Sequence, residues 1–279
     1  MATNSTLDRN AILAARQALV PVRGGGWLGG FGNMLGKELG DWFGTRRWLV
    51  QTIAWLVIIN GLMAFIMFIV PLIDPSEQLG PAEQAAQGLG LYFAFSALLG
   101  GIGMVILTQD EIIQEKQIGT AAWILSKPVS RNSFILTKLL SNFVGGVIFI
   151  AALPGAVAYA EIYLATHQAL SIVPYLMGVG VILLALVFYL SLVIMLGALF
   201  EQRGPVLGIA LGLLIGGLIA SQFSPQISYI LPVNMQDIAG AVAQGQPLPT
   251  VAISQLIATA AWSLLFAGVA LWRFGRLEF

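Results

Sequence analysis

The sequence predicts an all-α integral membrane protein: six transmembrane helices preceded by an amphipathic interfacial helix, with both termini cytoplasmic. Three observations carry this. Of 279 residues, 58% are hydrophobic and only 9% charged, whereas a soluble domain carries about 25% charged residues. Mean hydropathy is correspondingly high, +0.87. Six stretches reach the length of ~20 mostly apolar residues that a helix needs to cross the hydrocarbon core. Finally, every Lys and Arg falls outside alternate loops, the asymmetry that fixes orientation in a membrane.

The predicted spans cover about 48–73, 89–107, 139–163, 174–200, 205–223 and 251–272. None has the alternating pattern of a barrel strand. Arg9, Arg16, Arg23, Lys37, Arg46 and Arg47 precede the first span. Lys116, Lys127, Arg131 and Lys138 lie between or flank the second and third, Arg203 sits between the fourth and fifth, and Arg273 and Arg276 follow the sixth. The other loops hold only acids: Asp74, Glu77, Glu83 and Asp237, with Glu161 nearby. The basic end is therefore expected to face the cytoplasm, in a multi-pass protein of the inner or plasma membrane.

Composition also removes whole classes of chemistry. With no cysteine, disulfides, thiolate metal sites and cysteine nucleophiles are absent. A single histidine, His167, leaves no His-rich metal cluster and no ordinary Ser-His-Asp triad. A net charge of +0 gives no basic field for nucleic acid.

Residues 1–32 read as a flexible cytoplasmic leader with no signal peptide, punctuated by Gly24-Gly25-Gly26 and Gly29-Gly30. Gly24, Gly26 and Gly29 match G-x-G-x-x-G by chance, since no strand precedes and no βαβ unit follows. Residues 33–47 place Met34, Leu35, Leu39, Trp42 and Phe43 on one helical face and Lys37, Asp41 and Thr45 on the other. Lys37 and Asp41 have ion-pair spacing, and Trp42, Arg46, Arg47 and Trp48 are interfacial anchors. This predicts a helix lying on the inner membrane face; the alternative is a cytosolic extension of the first span. Glycines at 32, 36, 40 and 44 each weaken such a helix by about 1 kcal/mol relative to alanine, so a neighbour must hold it.

The next cytoplasmic segment, 108–134, carries the densest signals. Thr108 and Glu111 have capping-box spacing, although the second span can equally run straight on. A short helix through Ile118 is expected to stop at Gly119 in the left-handed conformation. Pro128 breaks the following segment, and Ser130 or Asn132 caps the third span. Glu111 and Glu115 repel across one helical turn. Either they form a solvated face or a partner supplies cations.

The run E-K-Q-I-G-T-A-A-W-I-L-S-K-P-V-S-R, followed by Lys138, resembles the cytoplasmic loop of ABC-2-type ABC transporter permeases. The corresponding residues are Glu115, Lys116, Gly119, Thr120, Leu125, Ser126, Pro128, Val129, Ser130, Arg131 and Lys138. Lys37-Glu38-Leu39 also resembles the family's start, so the likeness covers about 33–279. It implies a coupling helix that docks on a separate ABC ATP-binding subunit, with Glu111, Glu115, Lys116, Gly119, Thr120, Ser126, Pro128 and Arg131 at that interface. It implies that 33–47 is a connecting helix and that a second permease copy, or a homologous permease, completes the transporter. It also implies that the outer loop 224–250, which holds Pro225, Pro232, Pro247, Pro249 and a weakly helical NMQDIAGAVAQ, re-enters the membrane. The six-span domain then occupies 48–273 and a cytoplasmic tail 274–279.

The chain itself has no ATPase signature. A P-loop needs G-x-x-x-x-G-K-[ST], whereas Gly36-Lys37 is followed by Glu38 and preceded by Phe31 at the first glycine position. No cofactor is expected in this chain; ATP and Mg²⁺ belong to the partner. Within the spans, Gly204, Gly208, Gly212 and Gly216 form an i,i+4 ladder continued by Ala220. Packing against another span of the same chain is its expected use, and a subunit or sliding interface is the alternative. Glu161 is the acid nearest a span interior and a candidate for the substrate path, with snorkelling to the outer headgroups as its simpler reading. Pro154 is expected to kink the third span below it. With no polar array, the path suits a lipid-like, amphipathic or peptide substrate, surrounded by membrane lipids.

The sequence thus predicts the permease of an ABC exporter. An ABC-linked module for force transmission or surface-machinery assembly, such as copper-enzyme maturation, shares the same coupling loop. A secondary transporter or intramembrane enzyme needs ionisable residues at membrane depth, where Glu161 stands alone.

Overall fold

The computed structural model describes residues 26–276. The greater part of the leader, 1–25, and the last three residues of the tail lie outside them. Among the described residues there are helices and turns but no strand. Six helices are long and apolar enough to cross a membrane.

Helix α1, Phe31–Phe43, precedes the spans. The spans are α2, Arg47–Ile73; α3, Pro81–Thr108; α6, Arg131–Thr166; α7, Ile172–Leu199; α8, Arg203–Phe223; and α10, Ala252–Phe274. Two short helices, α4 at Ile113–Gln117 and α5 at Thr120–Leu125, lie between α3 and α6. Helix α9, Met235–Gln244, precedes α10. The predicted apolar stretches each overlap one of these spans, because only a helix satisfies its own backbone across so long an apolar run.

The spans differ in what surrounds them. In its most apolar window α7 is 67% buried, against 22% for both α2 and α10. Helix α7 is thus the axis of the bundle, packed on α3, α9 and α10. This explains its unbroken apolar sequence: over 181–198 no residue is exposed, and every face meets protein. Phe188 and Tyr189 on α7 pack edge to face, and Phe188 meets Phe266 of α10. At the basic end, Phe134 stacks on Phe274 with ring centroids 4.6 Å apart. Close approach elsewhere depends on missing side chains. A Cβ at Gly103 of α3 would fall within the Trp55 ring, and one at Gly145 of α6 would strike the indole of Trp42.

Helix α1 packs along α6 and presents Met34, Glu38 and Trp42 to the protein. Gly44 and Thr45 separate it from α2, so it is not a continuation of the first span. Its ion pairing also differs from the expected one: Lys37 meets Glu38 and Glu115. Tertiary contact outweighs the weak i,i+4 attraction to Asp41. The Gly29-Gly30 pair is docked. Ser130 N–H donates to Gly29 O at 2.9 Å, Ser130 Oγ donates to Trp27 O at 2.7 Å, and a Cβ on Gly30 would lie 2.8 Å from Val129. Gly30 has φ +73°, a conformation that glycine adopts without steric cost.

Helix α6 contains a π-helical segment, Gly146–Ala152, just before Pro154. Proline lacks an N–H, so the carbonyl one turn before it loses its helical partner. Side chains from three other helices bond to carbonyls around this break. Tyr92 Oη donates to Ala151 O at 2.9 Å, Asn60 Nδ2 to Pro154 O at 3.0 Å and Tyr175 Oη to Gly155 O at 2.7 Å. The expected disturbance at Pro154 is therefore a relaxed helical segment fastened from three sides. Helix α2 has two π-helical segments of its own, Leu56–Gly61 and Phe65–Ile69.

Candidate functional site

Helix α3 runs straight to Thr108, whose hydroxyl donates to Met104 O at 2.6 Å rather than capping a new helix. A turn over 109–112 follows, with Ile112 and Ile113 buried to fix α4 against the bundle. This puts Glu111 and Glu115 on the side of α4 that faces α1 and α6. There they meet Lys138, whose side chain is only 4% exposed. Lys138 Nζ lies 2.8 Å from Glu115 Oε1, 2.9 Å from Glu38 Oε2 and 3.1 Å from Glu111 Oε2. Lys37 reaches Glu38 at 3.2 Å and Glu115 at 3.4 Å, while Arg47 reaches Glu111 at 3.4 Å.

Lys37, Glu38, Arg47, Glu111, Glu115 and Lys138 therefore form a balanced network of three acids and three bases. Burial works against the charge on Lys37, but Glu115 and then Glu38 outweigh it and hold its pKa above the ordinary lysine value. Arg47 also stacks 3.9 Å from the Trp42 ring, which in turn stacks on Phe149. One network thus joins α1, the first residue of α2, the α3–α4 turn and the base of α6.

The cations beside Glu111 and Glu115 come from the chain itself, an arrangement that neither of the two expected readings, a solvated face or a partner's cations, describes. Their partners stand far away in sequence, and no local spacing reveals them. Lys138 had a visible place in the family pattern, yet its contacts had none.

The rest of the segment divides in two. Lys116 Nζ donates to Phe200 O at 2.7 Å and Gln117 Nε2 to Glu201 O at 2.8 Å, tying α4 to the α7–α8 link. Arg131 donates to Gly275 O at 2.7 Å, and Ser130 caps α6 by accepting from Ser133 N–H. Beyond these anchors the segment projects as a tip. Gly119 has φ +74° with open space around it, as a helix-ending glycine requires. Thr120 starts α5, which is seated by Ala121 and Ile124. Ile118 and Trp123 are 67% and 61% exposed, Lys127 Nζ lies 3.5 Å from the Trp123 ring centroid, and Ser126 and Pro128 are exposed beside them. Ile118, Trp123 and Lys127 were missed in sequence. Large apolar residues in a charged loop, out of phase with Ala121 and Ile124, were the available signal.

Two readings of the spans change. Adding a Cβ to Gly204, Gly208, Gly212 or Gly216 would meet nothing within 4 Å. The ladder therefore does not pack against another span of this chain; it lies on an open face of α8. Glu161 does not extend towards the Thr166 end of α6. It turns towards Asn60 of α2, with Asn60 Nδ2 3.5 Å from Glu161 Oε2. A helical side chain leans towards its helix N-terminus, and here that direction leads back into the bundle. Asn60 stood in an apolar run and carried no signal.

The 224–250 loop forms a 3-10 turn, Pro225–Tyr229, before α9. Met235 and Ile238 of α9 pack with Ala185, near the middle of α7. Gln255 donates to the carbonyls of Leu231 and Val233 and holds the connection against α10.

A family model described as ABC-2 family transporter protein matches residues 33–279. No curated protein matches the chain.

Proposed function

Since the chain belongs to the ABC-2 family of transporter proteins, and is thus a multi-pass permease of an ABC transporter, we propose that it is the membrane half of an exporter in which the 118–128 tip receives the motion of a separate ATPase. ATP and Mg²⁺ are held by that partner. Ile118, Gly119, Thr120, Trp123, Ser126 and Pro128 supply the docking surface. Glu111, Glu115, Lys116 and Arg131 hold the tip to the body and do not meet the partner through their charges.

The observation that carries this reading is the network around Lys138. A tip on a loose loop would absorb an applied displacement. Here a buried lysine binds carboxylates from α1, from the turn before α4 and from α4 itself, so the tip, α1 and the base of α6 move together. Arg47 extends the same body to the start of α2. Displacement at the tip then tilts α2 and α6 against the α7 axis.

In this reading the basic end faces the cytoplasm, α1 lies at the inner membrane surface, and α9 sits within the outer half of the membrane. A second copy, or a homologous permease, meets the chain across the open glycine face of α8, where the absence of side chains permits close helix approach. The family favours a dimer and an ABC ATP-binding partner.

The test is purification of the tagged chain from its native membrane in mild detergent. A P-loop ATPase should co-purify at one copy per permease. Trp123→Ala and Gly119→Val should release it without altering the chain's own elution. An ATPase retained by both variants would refute the tip as the docking surface, and recovery of the chain alone under several gentle conditions would refute the coupling reading.

A further inference from the structure

The polar cluster at Asn60 and Glu161 has the opposite balance to the network at Lys138. Asn60 is 4% exposed and lies in the π-helical segment of α2. Its amide nitrogen is committed to Pro154 O and Glu161 Oε2, and both are acceptors, which fixes the orientation of the amide. Its oxygen, Oδ1, is buried and has no hydrogen-bond partner. A buried acceptor left without a donor costs about 1–3 kcal/mol, and native structures contain few.

The neighbouring hydroxyls offer no relief. Tyr92, Tyr159 and Tyr175 donate to the carbonyls of Ala151, Leu170 and Gly155 respectively. Glu161 has no ion pair, and the described lysines and arginines lie at the other end of the bundle. What remains is a carboxylate and, on the residue that donates to it, a buried amide oxygen without a donor. Glu161 is partly exposed and so can be met from outside the bundle, whereas Asn60 Oδ1 is closed over and is met only by a ligand that parts the side chains around it. Exposed Val57 and Leu164 stand within one helical turn of Asn60 and Glu161 in sequence and give the opening an apolar border.

We propose that Glu161 and Asn60 bind the protonated primary amine of an amphipathic molecule. The ammonium ion has what the site lacks: a positive charge for Glu161 and N–H donors for Asn60 Oδ1. A quaternary ammonium would satisfy only the first, and a neutral alcohol only the second. The apolar body of the ligand lies along the flanking surface of α2 and α6. The inference names a substrate class for the transport reading, but its test needs no ATPase.

The experiment uses the full chain in detergent and a diazirine-bearing decylamine as photolabel, with labelled peptides mapped by mass spectrometry. Labelling is expected in 57–64 and 154–165, with protection by decylamine at least tenfold better than by decanol. Glu161→Gln keeps the shape but removes the charge, and should abolish that preference. Glu161→Asp keeps the charge and should retain preference for the amine at lower affinity. Equal protection by decanol, or an unchanged preference in Glu161→Gln, would overturn the proposal. A chain that selects the amine but recovers no ATPase refutes the coupling reading alone; one that recovers its ATPase without selecting the amine refutes this site alone.

Discussion

Two of the polar clusters among the described residues are built on opposite principles. Around Lys138, three acids face three bases and the charges close on one another. Around Asn60, donors are exhausted while a carboxylate and an amide oxygen remain. Removing charges from water is costly, and only good internal pairing compensates. The first cluster meets that condition within the chain, which suits a part that must hold its shape under load. The second meets it only with a further molecule, which suits a part that must receive something.

The largest effect should come from breaking the closed cluster. Lys138→Met leaves Glu38, Glu111 and Glu115 facing one another, and should cost about 3–5 kcal/mol. The measurement is the thermal midpoint of the detergent-solubilised chain. Adding Glu115→Gln should recover part of the loss, because it reduces the uncompensated charge. No loss in Lys138→Met would remove the network from its structural role.

Tyr175→Phe tests the fastening of the broken helix between the two clusters. It removes the Tyr175 bond to Gly155 O beside Pro154 and should cost about 0.5–1.5 kcal/mol by the same thermal measurement. Lys37→Met, at the half-exposed rim of the closed cluster, should cost only about 0.2–1 kcal/mol. A larger loss would mean that the rim contributes as much as the buried centre. Gly208→Leu should leave the isolated chain's thermal midpoint unchanged, since open space surrounds that position. Its effect should appear as loss of dimer on light scattering, and a full dimer yield would exclude this face from the interface.

How far these features could be read from sequence depends on how local their causes are. The spans were legible because a bilayer imposes one requirement, sustained apolarity, on consecutive residues. Gly119 and Ser130 were legible for a similar reason: a left-handed helix end and a helix cap are decided within a few residues. The partners of Glu111 and Glu115 were not, since Arg47 and Lys37 come from another segment and meet the acids only after the helices assemble. Asn60 was lost among apolar neighbours, and only the break at Pro154 shows what it bonds. The glycine ladder had a visible spacing but no visible direction. Which way a helix turns its bare face is settled by the other five spans.

The docking of Gly29-Gly30 on Val129 and Ser130 makes one seam of two stretches that lie far apart in sequence. Ser130 holds it with two bonds, from its N–H to Gly29 O and from its hydroxyl to Trp27 O. The seam acts as a clasp: what lifts the 127–130 stretch must also lift the start of α1.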